Sequence, residues 1–308
     1  MSKQLKADIA LLLITVGWGA SFLLIKSSLS ELSTFNFLTI RFSVAFILAL
    51  IFFFKQIIKV DKKTLKYGVI IGIVLYSTCA LQTLGLNYTT ASKSAFITGF
   101  NVILVPIFSS LLMKKMPDKK VLFSVFIAFI GLGLLTLNKN ISGINIGDIY
   151  TFICAIACAI HILLVGKYTI ECESIALAVV QMGVCAVLSL ITTLAFENPT
   201  IPTSHSVWIN ILILSVVCTL GAYIVQSLAQ RFTSPTHAAL IFTAEPVFAA
   251  IFGYIILGEM LSSQGLIGAI FILIGMVITE IDFTNKNYRY DETLNYVINK
   301  KDNTVHNK

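Results

Sequence analysis

The sequence is poor in charge. Asp, Glu, Lys and Arg make up 12% of its 308 residues, about half of what a soluble chain usually carries. A cytosolic enzyme of this length is excluded, because its surface could not be covered with polar groups. Paired CxxC cysteines are missing as well. Cys154 and Cys158 stand four apart on one helical face, but Cys79, Cys185 and Cys218 fall in separate apolar runs, so the pattern indicates small packing residues and no metal. There is no GxxxxGK[ST] loop, and Gly131-Leu132-Gly133 lies inside an apolar run, so no bound nucleotide and no other cofactor is expected. No connecting segment is long enough to form a domain outside the apolar runs.

What is present is apolar: 57% of residues are hydrophobic and mean hydropathy is +0.90. A bilayer core takes about 20 apolar residues at the helical rise. Ten such runs fall near 7–26, 35–54, 67–86, 94–113, 121–138, 147–166, 174–196, 207–229, 236–257 and 263–281. Stretches such as Val121–Leu137 are continuously apolar and do not alternate, which favours helices over the strands of a closed barrel. The first run follows Lys3 and Lys6 like a signal sequence, but it is of full spanning length with no small-residue cleavage site.

The formal charge of +7 is spread between the runs and is not gathered on one face, so no nucleic-acid partner is expected. Basic residues accumulate in cytoplasmic loops. With the N-terminus inside, Lys3, Lys6, the lysines from Lys55 to Lys66, Lys114, Lys115, Lys119, Lys120, Lys167, Arg231 and the five in the tail are cytoplasmic. Lys26, Lys93 and Lys139 fall outside, and Arg41 lies within a run. Both termini are expected in the cytoplasm, with the polar, Asn-rich 282–308 as a cytoplasmic tail.

Sliding the sequence by 144 lays positions 79–136 on 223–280 without a gap. Gln82, Thr89, Ile107, Phe108, Met116 and Gly131 then meet Gln226, Thr233, Ile251, Phe252, Met260 and Gly275. A slide of 140 extends the match forward, placing Asp8 on Asp148, Glu31 on Glu171 and Arg41 on Gln181. Five spans per copy is an odd number, so the second copy enters the bilayer from the opposite side. The expected fold is an all-α integral membrane protein of ten transmembrane helices in two inverted five-helix repeats, 7–138 and 147–281. Such bundles alternate between inward-open and outward-open packings around a midplane site.

The segment Ser234–Glu259, with its Pro-Val-Phe-Ala-Ala and Leu-Gly-Glu elements, resembles the EamA domain of the drug/metabolite transporter superfamily. The first half resembles it through Trp18-Gly-Ala-Ser-Phe22, Arg41-Phe42 and Tyr88–Phe96, although Lys114-Lys115 stands where Gly258-Glu259 stands in the second copy. The resemblance covers about residues 7–281. It implies a two-repeat secondary transporter in a prokaryotic inner membrane, commonly an exporter of amino acids or other small metabolites, and it fixes no substrate.

Ionisable side chains within a bilayer usually face a protein interior or an aqueous cavity. Glu245 lies near the middle of the ninth run and Arg41 in the outer half of the second; a pair between them is possible if their helices are neighbours. Pro246 removes a backbone bond to Phe242, and Pro106 does the same at Val102. Asn101 holds the position of Glu245 in the first copy, so the two form the expected sides of a central cavity. Glu245 is expected to bind the cationic end of an amino-acid-like solute or a coupling proton, or else to make an internal bond that holds helices together. Burial favours a neutral carboxyl, and water or a cation favours the charged one.

Arg41 would hold a substrate carboxylate or cap carbonyls. Trp18 is a gate or cavity-wall candidate or a core residue, and His161 a proton relay or a hydrogen-bonded core histidine. Tyr76, Gln82, Tyr223 and Gln226 would offer neutral hydrogen bonds to a ligand or join helices. Import or exchange of sugar-like or phosphorylated solutes is the alternative within transporters. A membrane enzyme would have to rest on Glu245 with His161, and a channel would need a polar or glycine-rich filter, which the sequence does not show.

Overall fold

The computed structural model describes residues 2–89, 91–113, 117–136, 145–257 and 262–280. The tail 282–308, Lys114-Lys115, Lys139 and Gly258-Glu259 lie outside the described residues. Among the described residues the chain is helical and has no strand. In order, the helices are α1 (Lys3–Ser28), α2 (Thr34–Phe52), α3 (Phe54–Ile57), α4 (Lys62–Tyr88), α5 (Ala91–Thr98), α6 (Asn101–Met113), α7 (Lys119–Thr136), α8 (Ile146–Glu171), α9 (Ser174–Phe196) and α10 (His205–Ser215). A π-helical turn (Val216–Gly221) then leads into α11 (Ala222–Ala229), followed by α12 (Pro235–Phe242), α13 (Glu245–Leu257) and α14 (Ser263–Glu280).

Eight helical segments among the described residues are long and apolar enough to cross a membrane. They are α1, α2, α4, α5 with α6, α8, α9, α10 through α11, and α12 with α13. A shorter apolar helix spans Ser263–Ile278. It packs along α7, the partner with which it makes its closest contacts. The chain is thus a multi-pass membrane protein.

Local sequence sets where helices start. Ser2, Asp61, Ser204 and Ser234 each accept a backbone N–H three residues on, as N-caps do. Pro235 occupies the first turn of α12, where its missing N–H costs nothing. Asn145 and Asp148 bond reciprocally in a capping box that opens α8.

Packing follows from small residues, since lipid provides no hydrophobic drive between helices. A Cβ on Gly68 would lie 2.7 Å from Val180, and one on Gly72 would lie 3.0 Å from the backbone of Gln181, so α4 and α9 meet nearly backbone to backbone. Gly131 and Gly268 make the same notch between α7 and α14. Apolar side chains such as Leu13, Phe126 and Leu194 point outward, whereas Arg41, His161, Gln181, Gln226 and Gln230 are buried inside. This is the polarity expected of a protein whose surroundings are hydrocarbon.

The 144-residue offset recurs in the helix limits. Added to the limits of α5, α6 and α7, it gives those of α12, α13 and α14. Contacts recur too: α1 lies against α12 and α13, as α8 lies against α5 and α6.

Candidate functional site

Two helices are interrupted at matching places, between Thr98 and Asn101 and between Phe242 and Glu245. The second break has a covalent cause, since Pro246 has no N–H to give to the Phe242 carbonyl. The chain tightens ahead of it: the Thr243 and Ala244 amides donate to carbonyls three residues back, at 3.1 and 3.0 Å. In the first copy Val102 stands where Pro246 stands in the second. No proline therefore accounts for the interruption in the first copy. Pro106 lies inside α6, and the interruption falls at Gly99 and Phe100. Glycine is a poor helix former, and a Cβ on Gly99 would collide with the side chain of Leu132.

Both interruptions line one cavity of about 20 Å3, with Thr98 and Asn101 on one side, Thr243 and Glu245 on the other, and Phe22 and Phe242 closing it. The space admits about one water molecule. Asn101 is buried and its amide lies 3.5 Å from the Cys158 sulfur. Glu245 is half-buried and makes no hydrogen bond or ion pair among the described residues. The α1 backbone can pass beside it because residue 19 is glycine: a Cβ there would sit 2.9 Å from the Glu245 carbonyl.

Arg41 and Glu245 are not paired. Arg41 is buried, and its Nε donates to Thr219 Oγ1 at 2.8 Å while a terminal nitrogen lies 3.5 Å from the Cys218 carbonyl. Both acceptors belong to the π-helical turn. There the Thr219 hydroxyl reaches back five residues to the Leu214 carbonyl, at 2.8 Å. The Trp18 indole donates to the same Cys218 carbonyl, and the Cys218 thiol donates to Gly17, at 3.2 Å. The ring of Trp18 stands edge-on to Phe242 with centroids 5.1 Å apart, and 5.9 Å from Tyr223. Trp18 thus touches both the π-helical turn that binds Arg41 and Phe242, which lines the small cavity.

His161 is a buried, hydrogen-bonded histidine: its Nε2 is 2.9 Å from Gln181 Oε1 and its ring is 6.1 Å from Tyr223. The Tyr223 hydroxyl lies 3.7 Å from the Cys79 sulfur. The structure therefore gathers Trp18, Arg41, His161 and Tyr223 into one cluster, which meets the Asn101 and Glu245 cavity where Trp18 touches Phe242. It turns other residues away. Tyr76 donates to Thr192 on α9 at 2.8 Å, joining helices. Gln226 donates to Gln230 at 2.9 Å, and Gln230 donates to the Ile162 carbonyl at 3.1 Å. Gln82 is half-buried.

Cys218, Thr219, Gln181 and Gln230 are absent from the sequence-based set. Gln181 carried a signal, being an amide inside an apolar run that aligns with Arg41; Gln230 falls just past the end of the run 207–229. The π-helical turn carried none, having no proline to mark it. All six cysteines are free thiols, and no group of three metal-ligating side chains is found among the described residues.

A helical bundle that exposes aliphatic side chains outward, and encloses arginine, histidine and amides between two similar halves, defines a multi-pass membrane protein with a polar interior. The chain belongs to the EamA-like transporter family, whose pattern matches residues 5–137 and again 145–281. An uncharacterized transporter of Archaeoglobus fulgidus is 34% identical over 283 residues, 91% of this chain and 87% of that protein. A transporter of Chlamydia muridarum named for S-adenosylmethionine and S-adenosylhomocysteine is 22% identical over 280 residues, 84% of this chain and 86% of its own length. One solved structure superposes with a TM-score of 0.74 at 14% identity, covering 90% of this chain and 96% of that one, a likeness of fold.

Proposed function

We propose that this transporter is a secondary active carrier of ten membrane-spanning helices in two inverted repeats, 7–138 and 147–281. In this reading both termini are cytoplasmic in the plasma (inner) membrane, and the carrier exports a small polar metabolite, an amino acid or related compound, by alternating access. One observation supports it above the others: interrupted helices of the two copies meet at one small cavity with an amide on one side and an unpaired carboxylate on the other. Broken helices that converge where two repeats meet are the usual construction of a carrier site. The recurrence of helix limits and contacts between the halves supports two like bundles that can exchange packings.

Glu245 then receives the ammonium end of the solute or a coupling proton, Asn101 gives neutral hydrogen bonds, and Trp18 moves to enlarge the cavity. The solutes named for the Chlamydia muridarum relative carry an amino-acid end, which suits this chemistry. Counterflow in proteoliposomes tests the reading. Saturable exchange of an unchanged labelled amino acid supports a carrier; chemical alteration of the solute supports an enzyme, and flux that never saturates supports a channel.

A further inference from the structure

A second cavity, far larger than the one at Glu245, opens where α2 ends. It measures about 320 Å3 and is lined by Lys55, Gln56, Lys59, Asp61, Thr64 and Glu173, among others. Its walls follow from local structure. At Phe53 (φ −116°, ψ 26°) the chain leaves α2, and the short α3 and the turn after it carry the lysines to the mouth. Interleaved with these lysines are Phe52, Phe54 and Ile58, all strongly exposed. Lysines that line the cavity thus stand next in sequence to exposed apolar side chains.

Charge in the lining is unevenly committed. Asp61 accepts the Thr64 amide at 3.0 Å, and the Glu173 carboxylate accepts the Ile175 and Ala176 amides, at 3.2 and 2.5 Å. Each carboxylate caps a helix N-terminus, where amide dipoles offset its charge. Lys63 is bound to Glu171 at 2.8 Å. Lys55, Lys59, Lys62 and Lys66 make no ion pair among the described residues. The lining carries two lysines and two carboxylates; the carboxylates are engaged by helix amides while Lys55 and Lys59 make no ion pair, so the uncommitted charge is positive and an anion with an apolar continuation fits it.

The geometry points to a binding site for the headgroup of an anionic phospholipid, with Lys55 and Lys59 on the phosphate and the acyl chains lying over Phe52, Phe54 and Ile58. Lysines on flexible stems at the interface between helix ends suit a lipid phosphate better than a fixed, dry ligand. The site requires the membrane embedding of the chain and is independent of what the chain carries.

The full-length protein in phosphatidylcholine nanodiscs, doped with a small fraction of phosphatidylglycerol, tests this by native mass spectrometry of retained lipid. Phosphatidylglycerol is expected to be retained about 30-fold over phosphatidylcholine, the effect of two lysines near a membrane surface. The double variant K55Q/K59Q should lose that preference while keeping its melting temperature in pure phosphatidylcholine; K62Q/K66Q, of equal charge, should keep most of it. Equal retention of both lipids by the wild type, or a K55Q/K59Q protein that retains phosphatidylglycerol like the wild type, overturns the assignment. So does competition by millimolar inorganic phosphate, which would mark a site for the free ion.

Discussion

Trp18 donates its indole N–H to the main-chain carbonyl of Cys218, 2.9 Å away. The π-helical turn makes that carbonyl available: the Ala222 amide, which in a regular helix would bond to Cys218, reaches Val217 instead. One irregular turn thus anchors α1 through Trp18 and α2 through Arg41. Trp18→Phe keeps the aromatic contacts and removes this bond. The loss should be about 1 kcal/mol, read as a lower thermal midpoint in detergent; an unchanged midpoint would show that the bond contributes nothing.

Arg41 and Thr219 should be energetically coupled. A hydrogen bond to a charged donor contributes about 1.5–3 kcal/mol. A double-mutant cycle of Arg41→Lys and Thr219→Val, followed by urea or thermal unfolding, should return a coupling in that range, because lysine lacks the planar fork of arginine. Additive effects would contradict the contact.

Gly131→Val should separate α7 from α14. A Cβ at Gly131 would already sit 2.6 Å from the Gly268 carbonyl, and overpacking of this kind costs about 1–3 kcal/mol. The expected outcome is a smaller folded fraction by size-exclusion chromatography. A variant as stable as wild type would mean that the two helices part freely.

Glu31, in the loop after α1, accepts the Thr203 and Ser204 amides at 3.0 and 3.2 Å, while Glu197 accepts the Phe35 and Asn36 amides at 3.1 and 2.8 Å. Each glutamate caps a helix of the other half. Hydrogen bonds from Ser204, and then Thr203, hold Glu31 below its ordinary value. A lowered carboxylate stabilises the fold fully above its unfolded pKa of about 4.3, and the contribution is lost as pH falls through the lowered folded value. The gap in melting temperature between wild type and Glu31→Gln should therefore be constant from neutral pH down to about 5 and close under stronger acid. A gap that persists in acid would contradict this linkage.

The apolar runs were legible in the sequence because the bilayer imposes one length on every span, and eight of them stand as spanning segments among the described residues. The break at Phe242 was legible because proline removes a donor whatever surrounds it. Its counterpart at Gly99 was not, since it depends on how closely α7 packs. The placing of Asn101 opposite Glu245 came from the repeat, and both residues do line one cavity. The partners of Arg41 were hidden because they are main-chain and hydroxyl acceptors exposed by an irregular turn, for which the sequence carries no mark.

Alternating access at the meeting point of the two broken helices is most directly tested by Asn101→Cys in an otherwise cysteine-free protein, labelled in oriented membranes with an impermeant maleimide added to one face at a time. The account predicts labelling from either face, with a transported amino acid shifting the balance between them. Labelling from a single face under every condition, or a cysteine that no substrate protects or exposes, would contradict it.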